Sequence, residues 1–425
     1  MQIKIQSIIR NKVFINGSWL YLLQFFNTII PLLTLPYITR VLGSSEYGVF
    51  SFSLNIVTYF QVLVEYGFNL TGARKLALTN DIKEQSKIYS SITVTKILLC
   101  IASFISMIII TLSLGLEQKY INTTIILYII VIGTAIQQNW LFHGLQKMKF
   151  ITLINVIARS ISVILIFLLV KNSNDIYLYC ALYAITSLVS GMLSIFLVRY
   201  KLQIKLRKVR LKDILSEMKA GWYTFTTSAM SKVLSGIGIT VLGIAHYSDS
   251  IVGVYSAIQK VPLLVIMLFA PVSQAIFPYI SQRFEDSYES GRGTVLKVSR
   301  LIMPLVGGIS TLLILFSEQI VDMFFGNEYS DFSSLLIPLS CWVFFSILNN
   351  FLGVQSLIAS GYLKEYSKAF NISIIFLIIL NITFGPLWGM FGVASATLIS
   401  EIILTLGILY QINKINRIRI NMVNR

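Results

Sequence analysis

Long apolar segments recur along the whole chain, separated by short polar stretches. Several of them, including Ile97–Leu114, Ile121–Trp140 and Phe370–Phe384, approach the length of about 20 residues that crosses a bilayer as a helix. Backbone polar groups in lipid must be hydrogen-bonded internally, and no segment shows the alternation of a barrel strand, so the segments are predicted to be helices. Twelve are counted, at residues 13–38, 47–72, 88–115, 121–142, 150–170, 176–199, 219–245, 251–280, 295–317, 334–359, 368–385 and 388–412.

The composition supports a membrane protein. Of the 425 residues, 56% are hydrophobic and only 12% are charged, whereas soluble domains carry about 25% charged residues. The opening MQIKIQSIIRNK is basic, and no short apolar region with a small-residue cleavage site follows it. We therefore expect an all-α polytopic membrane protein whose first apolar segment is a retained helix.

The distribution of basic residues predicts the orientation. With the N-terminus placed in the cytoplasm, the external loops hold only Arg40, Lys119 and Lys171 of the 34 lysines and arginines, and four others lie within the predicted spans. This asymmetry is the positive-inside pattern, and it predicts that both termini are cytoplasmic. The net charge of +16 is then an orientation signal and a match to anionic lipid head groups rather than a nucleic-acid site.

The chain also shows signs of an internal repeat. The basic connection Arg199–Lys219 divides the helices six and six, and Gly48-Val49-Phe50-Ser51 returns as Gly253-Val254-Tyr255-Ser256. Transporters often have such repeats, with the binding site between the halves, although a chance match in apolar sequence is the competing interpretation. We predict two six-helix bundles around a central cavity, at residues 1–200 and 219–425, joined by a cytoplasmic linker at 201–218.

Charged residues within spans cost on the order of 3 kcal/mol each and usually face a protein interior or water. The predicted spans contain four basic residues and only two acidic ones. This excess of positive charge predicts a cationic, water-accessible cavity. Lys96 and Arg159 are near enough to the surface to snorkel instead. Glu65 and Glu401 either pair with interior lysines or titrate and couple proton or cation movement to transport. The six residues are Glu65, Lys96, Arg159, Lys232, Lys260 and Glu401.

Polar side chains also line one face of the second predicted helix, within an arc of about 120°. The competing interpretation is hydrogen bonding between packed helices. The members of this polar stripe are Ser51, Asn55, Thr58, Gln61, Glu65 and Asn69.

No enzymatic chemistry is indicated. The three cysteines lie in apolar segments without CxxC spacing, His143 and His246 form no metal set, and no nucleophile elbow, P-loop or HExxH motif occurs. We therefore expect no enzyme activity, no metal and no cofactor.

Two stretches resemble a known family. Asn16–Lys75, beginning NGSWLYLLQFF, and Asn139–Ser160, NWLFHGLQKMKFITLINVIARS, are similar to Wzx-type polysaccharide-unit flippases of the multidrug/oligosaccharidyl-lipid/polysaccharide exporter superfamily. The resemblance implies two bundles forming a V in the bacterial inner membrane. It also implies that an undecaprenyl-pyrophosphate-linked oligosaccharide, for O-antigen or capsule, is moved outward by alternating access.

For such cargo, basic residues are the expected contacts to pyrophosphate or acidic sugars, with Arg offering two donors and Lys a point charge. Arg40 has a plainer interpretation as a snorkelling residue or a partner of Glu46. Membrane lipids, a polysaccharide polymerase, a chain-length regulator and a proton or sodium counter-ion are the expected partners. The candidate cargo contacts are Arg40, Arg74, Lys96, Arg159, Lys232 and Lys260.

Four rival functions stay open at this point. A multidrug exporter of the same fold would favour acidic or aromatic cavity walls, and a lipid II flippase usually has two further C-terminal helices. A polysaccharide polymerase would need a large external loop, and no predicted loop reaches about 20 residues. A non-transporting scaffold would show no interior cavity.

Overall fold

The computed structural model describes residues 2–245 and 247–423, and His246 therefore lies outside the described residues. All regular secondary structure in these ranges is helical. The first part of the chain contains α1 Gln2–Glu65, α2 Phe68–Ala77, α3 Ile82–Ser113, α4 Gln118–Leu127, α5 Ile129–Ile136, α6 Asn139–Gly144, α7 Met148–Leu169, a 3₁₀ turn Ser173–Asp175, α8 Ile176–Tyr200 and α9 Leu211–Ile244. The second part contains α10 Asp249–Ile258, α11 Lys260–Asp286, α12 Tyr288–Leu315, α13 Ser317–Phe325, α14 Asn327–Ser330, a 3₁₀ turn Ser333–Leu335, α15 Leu336–Asn349, a π-helix Asn350–Ile358 and α16 Leu363–Val423.

Ten stretches of the described residues are long and apolar enough to cross a membrane. Two of them, Ile15–Ala77 and Leu363–Arg419, contain 63 and 57 residues. Each is interrupted by a glycine with positive φ, Gly43 at 76° and Gly389 at 57°. At 1.5 Å per residue each stretch would be about 85–95 Å long, roughly three times the hydrocarbon thickness. The all-α membrane fold is confirmed, and the count of twelve spans stays a prediction.

Side-chain burial is reversed relative to a soluble protein. On α3, Ile97 and Ile101 are exposed, whereas Thr93, Thr95 and Ser103 are buried. In lipid the apolar surface needs no cover, while hydroxyls gain from bonding within the protein. Ser103, for example, donates to the carbonyl of its own helix at Cys100.

The chain divides into two compact units between Gly236 and Ile237, and this boundary falls inside α9. In the first unit Gly221 allows close approach to Tyr66, and the Tyr66 and Phe225 rings stack at 4.7 Å. The early part of α9 therefore belongs to the core of the first unit. The predicted bundle limits at 200 and 219 stay predictions.

Helix α9 begins at Leu211, eight residues before the predicted start of the seventh span, so the helix extends into the segment predicted to be a linker. The physical reason is a local cap: the Asp213 carboxylate accepts a hydrogen bond from the Arg210 backbone N–H at 3.2 Å. Residues 201–210 remain as the connecting segment, called the basic linker below. Its Ile204 is buried, and the backbone N–H groups of Lys205 and Arg207 donate to hydroxyls of α3.

Three other predicted segments differ in their interior. The 47–72 helix ends at Glu65, because Tyr66 and Gly67 adopt φ of 46° and 74°. The 121–142 segment opens at Gln137, which is extended at ψ 134°. The 334–359 segment changes from α- to π-helix at Asn350. Each change places polar side chains at an interruption within an apolar segment.

Gly67 offers a test of the first interruption. An alanine Cβ at Gly67 would lie 2.5 Å from the Thr224 Cβ, in addition to the cost of its left-handed backbone. Gly115 has a similar φ of 63° but open space around it. Gly115→Ala is expected to cost about 1–2 kcal/mol from backbone strain alone. Gly67→Ala should cost more, as measured by thermal unfolding in detergent, and equal losses would contradict the packing described here.

Candidate functional site

A small polar cavity forms where two helix interruptions meet in the first unit. Glu65 ends α1, and the left-handed residues Tyr66 and Gly67 turn the chain into α2. The cavity has a volume of about 10 Å³, which is space for a single water molecule. It is lined by Glu65, Phe68, Asn69, Lys96, Thr134, Gln137, Asn139 and Trp140.

Lys96 closes this cavity from α3. The residue is only 4% exposed, and its Nζ donates to the Gln137 backbone carbonyl at 2.8 Å. Because α5 ends at Ile136, carbonyls at this end have lost the donors of the next turn. A cation at a helix C-terminus also interacts favourably with the helix dipole. Lys96 therefore does not snorkel to the cytoplasmic surface, as one interpretation of the sequence allowed.

Amide and hydroxyl groups complete the walls. The Gln61 Nε2 donates to Thr134 Oγ1 at 3.1 Å, and the Trp140 indole donates to Gln138 Oε1 at 2.9 Å. Within the described part of the chain, the buried Asn139 Oδ1 has no hydrogen-bond partner. Asn139 thus leaves an acceptor beside the cavity that a water or a ligand donor can satisfy.

Further along the polar stripe, hydrogen bonding between helices is the observed role of Asn55. Its Nδ2 donates to the Gly236 carbonyl at 3.0 Å. Gln61 likewise bonds across helices to Thr134. Glu65 differs from both, because it carries a charge and lines the cavity.

Lys232 brings a second ammonium group to Glu65. It lies partly buried on α9, and its charge interacts with that of Glu65, as does the charge of Lys96. Among the residues that the structure describes, Glu65 makes no salt bridge within 4 Å to either lysine, and the Lys232 ammonium has no hydrogen bond. Two positive charges therefore surround one carboxylate, which leaves a positive surplus that an anion can neutralise. We call Glu65, Lys96 and Lys232 the cationic cluster.

The other predicted site residues lie outside the cationic cluster. Arg40 is exposed on α1 and Arg74 is exposed on α2, while Arg159 is partly buried on α7. None of them lines the cavity. Lys260 and Glu401 lie in the second unit, the former as the first residue of α11.

Glu46, considered above as a partner of Arg40, accepts a hydrogen bond from Lys119 at 2.5 Å. This pair joins two residues of predicted external segments. The role of Arg40 in cargo contact stays a prediction.

Sequence reasoning missed the amides of the cavity and one buried acid. The run Gln137-Gln138-Asn139 interrupts an apolar segment, and three consecutive amides there were a readable signal. Glu217 lies in the segment 201–218, which was predicted to be a cytoplasmic linker. It is 7% exposed, and its carboxylate accepts bonds from Lys75 Nζ at 2.7 Å and Ser91 Oγ at 3.2 Å. Glu217 therefore fixes the start of α9 to α2 and α3.

A family model described as "Polysaccharide biosynthesis protein" matches residues 13–284. The chain belongs to the polysaccharide biosynthesis protein family. The match includes every member of the cationic cluster, whereas Glu401 lies beyond it.

Two relatives whose names refer to transport are similar to this chain over most of its length. A protein of Escherichia coli (strain K12) named "Putative O-antigen transporter" is 29% identical over 403 residues, which cover 93% of this chain and 96% of that protein. A Haloferax volcanii protein named "Probable low-salt glycan biosynthesis flippase Agl15" is 25% identical over 395 residues, covering 90% and 79% respectively.

Solved structures agree at the level of fold. "Lipid II flippase MurJ, inward closed conformation" superposes with a TM-score of 0.75 at 20% identity, covering 92% of this chain and 86% of that one. An inward-facing multidrug resistance MATE transporter gives a TM-score of 0.66 at 15% identity, covering 92% and 99%. The predicted family and the predicted exporter-superfamily fold are both confirmed.

The cationic cluster predicts a measurable stability effect in this family member. Lys96→Met would leave the Glu65 charge and the Gln137 carbonyl without their buried partner. A loss of about 1–3 kcal/mol in the free energy of unfolding is expected for leaving the buried carbonyl without its charged donor. Adding Glu65→Gln should recover part of the loss, because Glu65 then no longer needs the counter-charge of Lys96.

The measurement is unfolding of purified protein in detergent, with Lys83→Met as the matched control. Lys83 lies exposed on the same helix, so its loss should change stability by less than about 0.5 kcal/mol. Equal losses for Lys96→Met and Lys83→Met would contradict the bonded role of Lys96.

Proposed function

We propose that this protein is a flippase for lipid-linked oligosaccharide repeat units, a transporter and not an enzyme. Its cargo is an oligosaccharide joined through pyrophosphate to undecaprenol. It moves this cargo from the cytoplasmic to the outer leaflet of a bacterial inner membrane by alternating access, with both termini in the cytoplasm. The observation that carries the proposal is the positive surplus of the cationic cluster, in a chain whose family and relatives belong to polysaccharide biosynthesis.

The negative charge of the pyrophosphate is the property of such cargo that a protein must neutralise within the membrane. Lys232 suits this role, because its ammonium has three rotatable donors and no hydrogen bond among the described residues. A lysine acts as a point charge and tolerates a phosphate that changes position, whereas an arginine fork fixes one geometry. Arriving phosphate would take the place of Glu65 as the counter-charge to Lys232.

The remaining predicted contacts are assigned by exposure. Arg40 and Arg74 are exposed on α1 and α2 and suit the entry or exit of an anionic head group, while Arg159 and Lys260 are partly buried. O-antigen and capsule pathways both use such cargo, and a polymerase and chain-length regulator would act on the product. These assignments follow from charge and burial together.

A multidrug exporter is the second function considered. Exporters of cationic drugs need negative or aromatic walls, and the cationic cluster has the opposite charge balance. The likeness to a lipid II flippase, at 20% identity, concerns the fold. Polysaccharide cargo is therefore favoured over both.

Lys232→Ala tests the proposal. Removal of a charged hydrogen-bond donor is worth about 1.5–3 kcal/mol, or roughly a ten- to hundredfold loss of cargo affinity. Surface polysaccharide should fall, and the lipid-linked intermediate should accumulate, in a strain whose own flippase gene is replaced by the variant. Lys260→Ala is tested in the same way.

Lys212→Ala is the matched control, because Lys212 is an exposed lysine near the start of the same helix. It should export normally at equal protein levels. Full export by Lys232→Ala, with no accumulated intermediate, would remove Lys232 from the mechanism.

A further inference from the structure

The second unit contains an ionisable group of a different kind. Glu401 lies on α16, twelve residues beyond the Gly389 interruption, or about 18 Å along the helix. It also lies within the apolar stretch Leu363–Arg419, and carboxylates inside such stretches are costly and mark functional sites by default. Glu401 is therefore the residue of the second unit whose charge most needs an explanation.

All hydrogen-bond partners of the Glu401 side chain are neutral. The Asn349 Nδ2 donates to Glu401 Oε2 at 2.6 Å. Asn349 is the last residue of α15, so the neutral amide that bonds the carboxyl group comes from the neighbouring helix. No lysine or arginine bonds Glu401 among the described residues, and pairing with an interior lysine, one role predicted for it, is not observed there.

The amide of Asn349 is held in one orientation. Thr405 Oγ1 donates to Asn349 Oδ1 at 2.8 Å, which turns the Nδ2 toward Glu401. Asn349 is buried at 4% exposure, and the π-helix begins at the next residue. Short π-helical segments inside α-helices are frequent at functional sites. Glu401 therefore belongs to a local hydrogen-bond network with Asn349 and Thr405 and is not a surface carboxylate in chance contact.

Other ionisable groups near Glu401 are few. The Tyr366 phenol, on the first part of α16, interacts electrostatically with Glu401. Residues 336–358, which form α15 and the π-helix, contain no Asp, Glu, Lys, Arg or His, and their one thiol is Cys341. On α10, Tyr255 is a buried phenol, and Asp249 begins that helix. None of these groups supplies a positive charge to the carboxyl group.

We infer that Glu401 is a proton-binding site of the second unit, at which the carboxyl group takes up and releases one proton. A carboxylate at this depth needs a positive partner, and the surrounding side chains offer only neutral donors. Protonation removes the charge.

The same donor set disfavours a metal ion. Sodium and similar hard cations bind oxygen lone pairs, whereas the Asn349 amide presents its N–H group to Glu401. The Asn349 oxygen accepts a hydrogen bond from Thr405. A proton is therefore the ligand that this chemistry recognises.

This inference rests on the proposed function only for its consequence, which is that proton uptake at Glu401 would be linked to the transport cycle. Proton binding itself is testable without cargo. In infrared difference spectra of the purified full chain in lipid nanodiscs, a protonated carboxylic acid gives a carbonyl stretch that is distinct from the carboxylate bands. The wild type should show this band near neutral pH and lose it at alkaline pH, and Glu401→Gln should lack it.

Glu285→Gln is the control, because Glu285 is an exposed carboxylate near the end of α11. It should leave the neutral-pH band unchanged. Identical spectra for the wild type and Glu401→Gln would overturn the inference, and so would loss of the wild-type band on addition of sodium chloride at constant pH. A variant that fails to fold is replaced by Glu401→Asp, which should shift the band and not abolish it.

An export assay separates this inference from the proposed function. If Glu401→Gln lacks the band and also exports poorly, both stand. If the band is absent in Glu401→Gln while export is normal, proton binding holds and its link to transport fails. If neither the wild type nor any variant exports polysaccharide, the proposed function fails and the spectra still decide the proton site.

Discussion

A helix that is interrupted inside a membrane must find new partners for the backbone groups it exposes. The protein meets this constraint where α5 ends at Ile136, because the Lys96 ammonium bonds the carbonyl of Gln137. The solution brings a positive charge to the centre of the first unit, and Glu65 and Lys232 are organised around it. A single requirement of backbone chemistry thus creates the charged environment that an anionic cargo would need.

The two units surround a half-buried carboxylate in opposite ways. The charge of Glu65 interacts with those of two lysines, which leaves a surplus of positive charge. Glu401 accepts a hydrogen bond from the neutral amide of Asn349, and no lysine or arginine bonds it among the described residues. The sequence phrases Gly48–Ser51 and Gly253–Ser256 suggested a common plan for both halves, and their apolar members Val49 and Val254 are indeed fully buried. The common plan therefore concerns packing, while the ionisable chemistry has diverged between the units.

Much of the fold followed from periodicity and charge alone. Continuous apolar segments such as those of α3, α7 and α8 were predicted to within about six residues, because a lipid-facing helix needs little beyond length and hydropathy. The interruptions at Tyr66, Gln137 and Asn350 were missed, because each depends on partners distant in the sequence. Glu65, Lys96 and Lys232 were named as ionisable residues, yet their grouping around one cavity required tertiary structure.

The packing of helix α9 determines where the chain can be cut without separating packed segments. The internal repeat assigns this helix to the second half, whereas residues 211–236 pack with the first unit. A chain cut within the basic linker would therefore detach from the first unit the segment that carries Lys232 and Glu217. The division between the two units lies inside α9 and not at the most basic stretch of the chain.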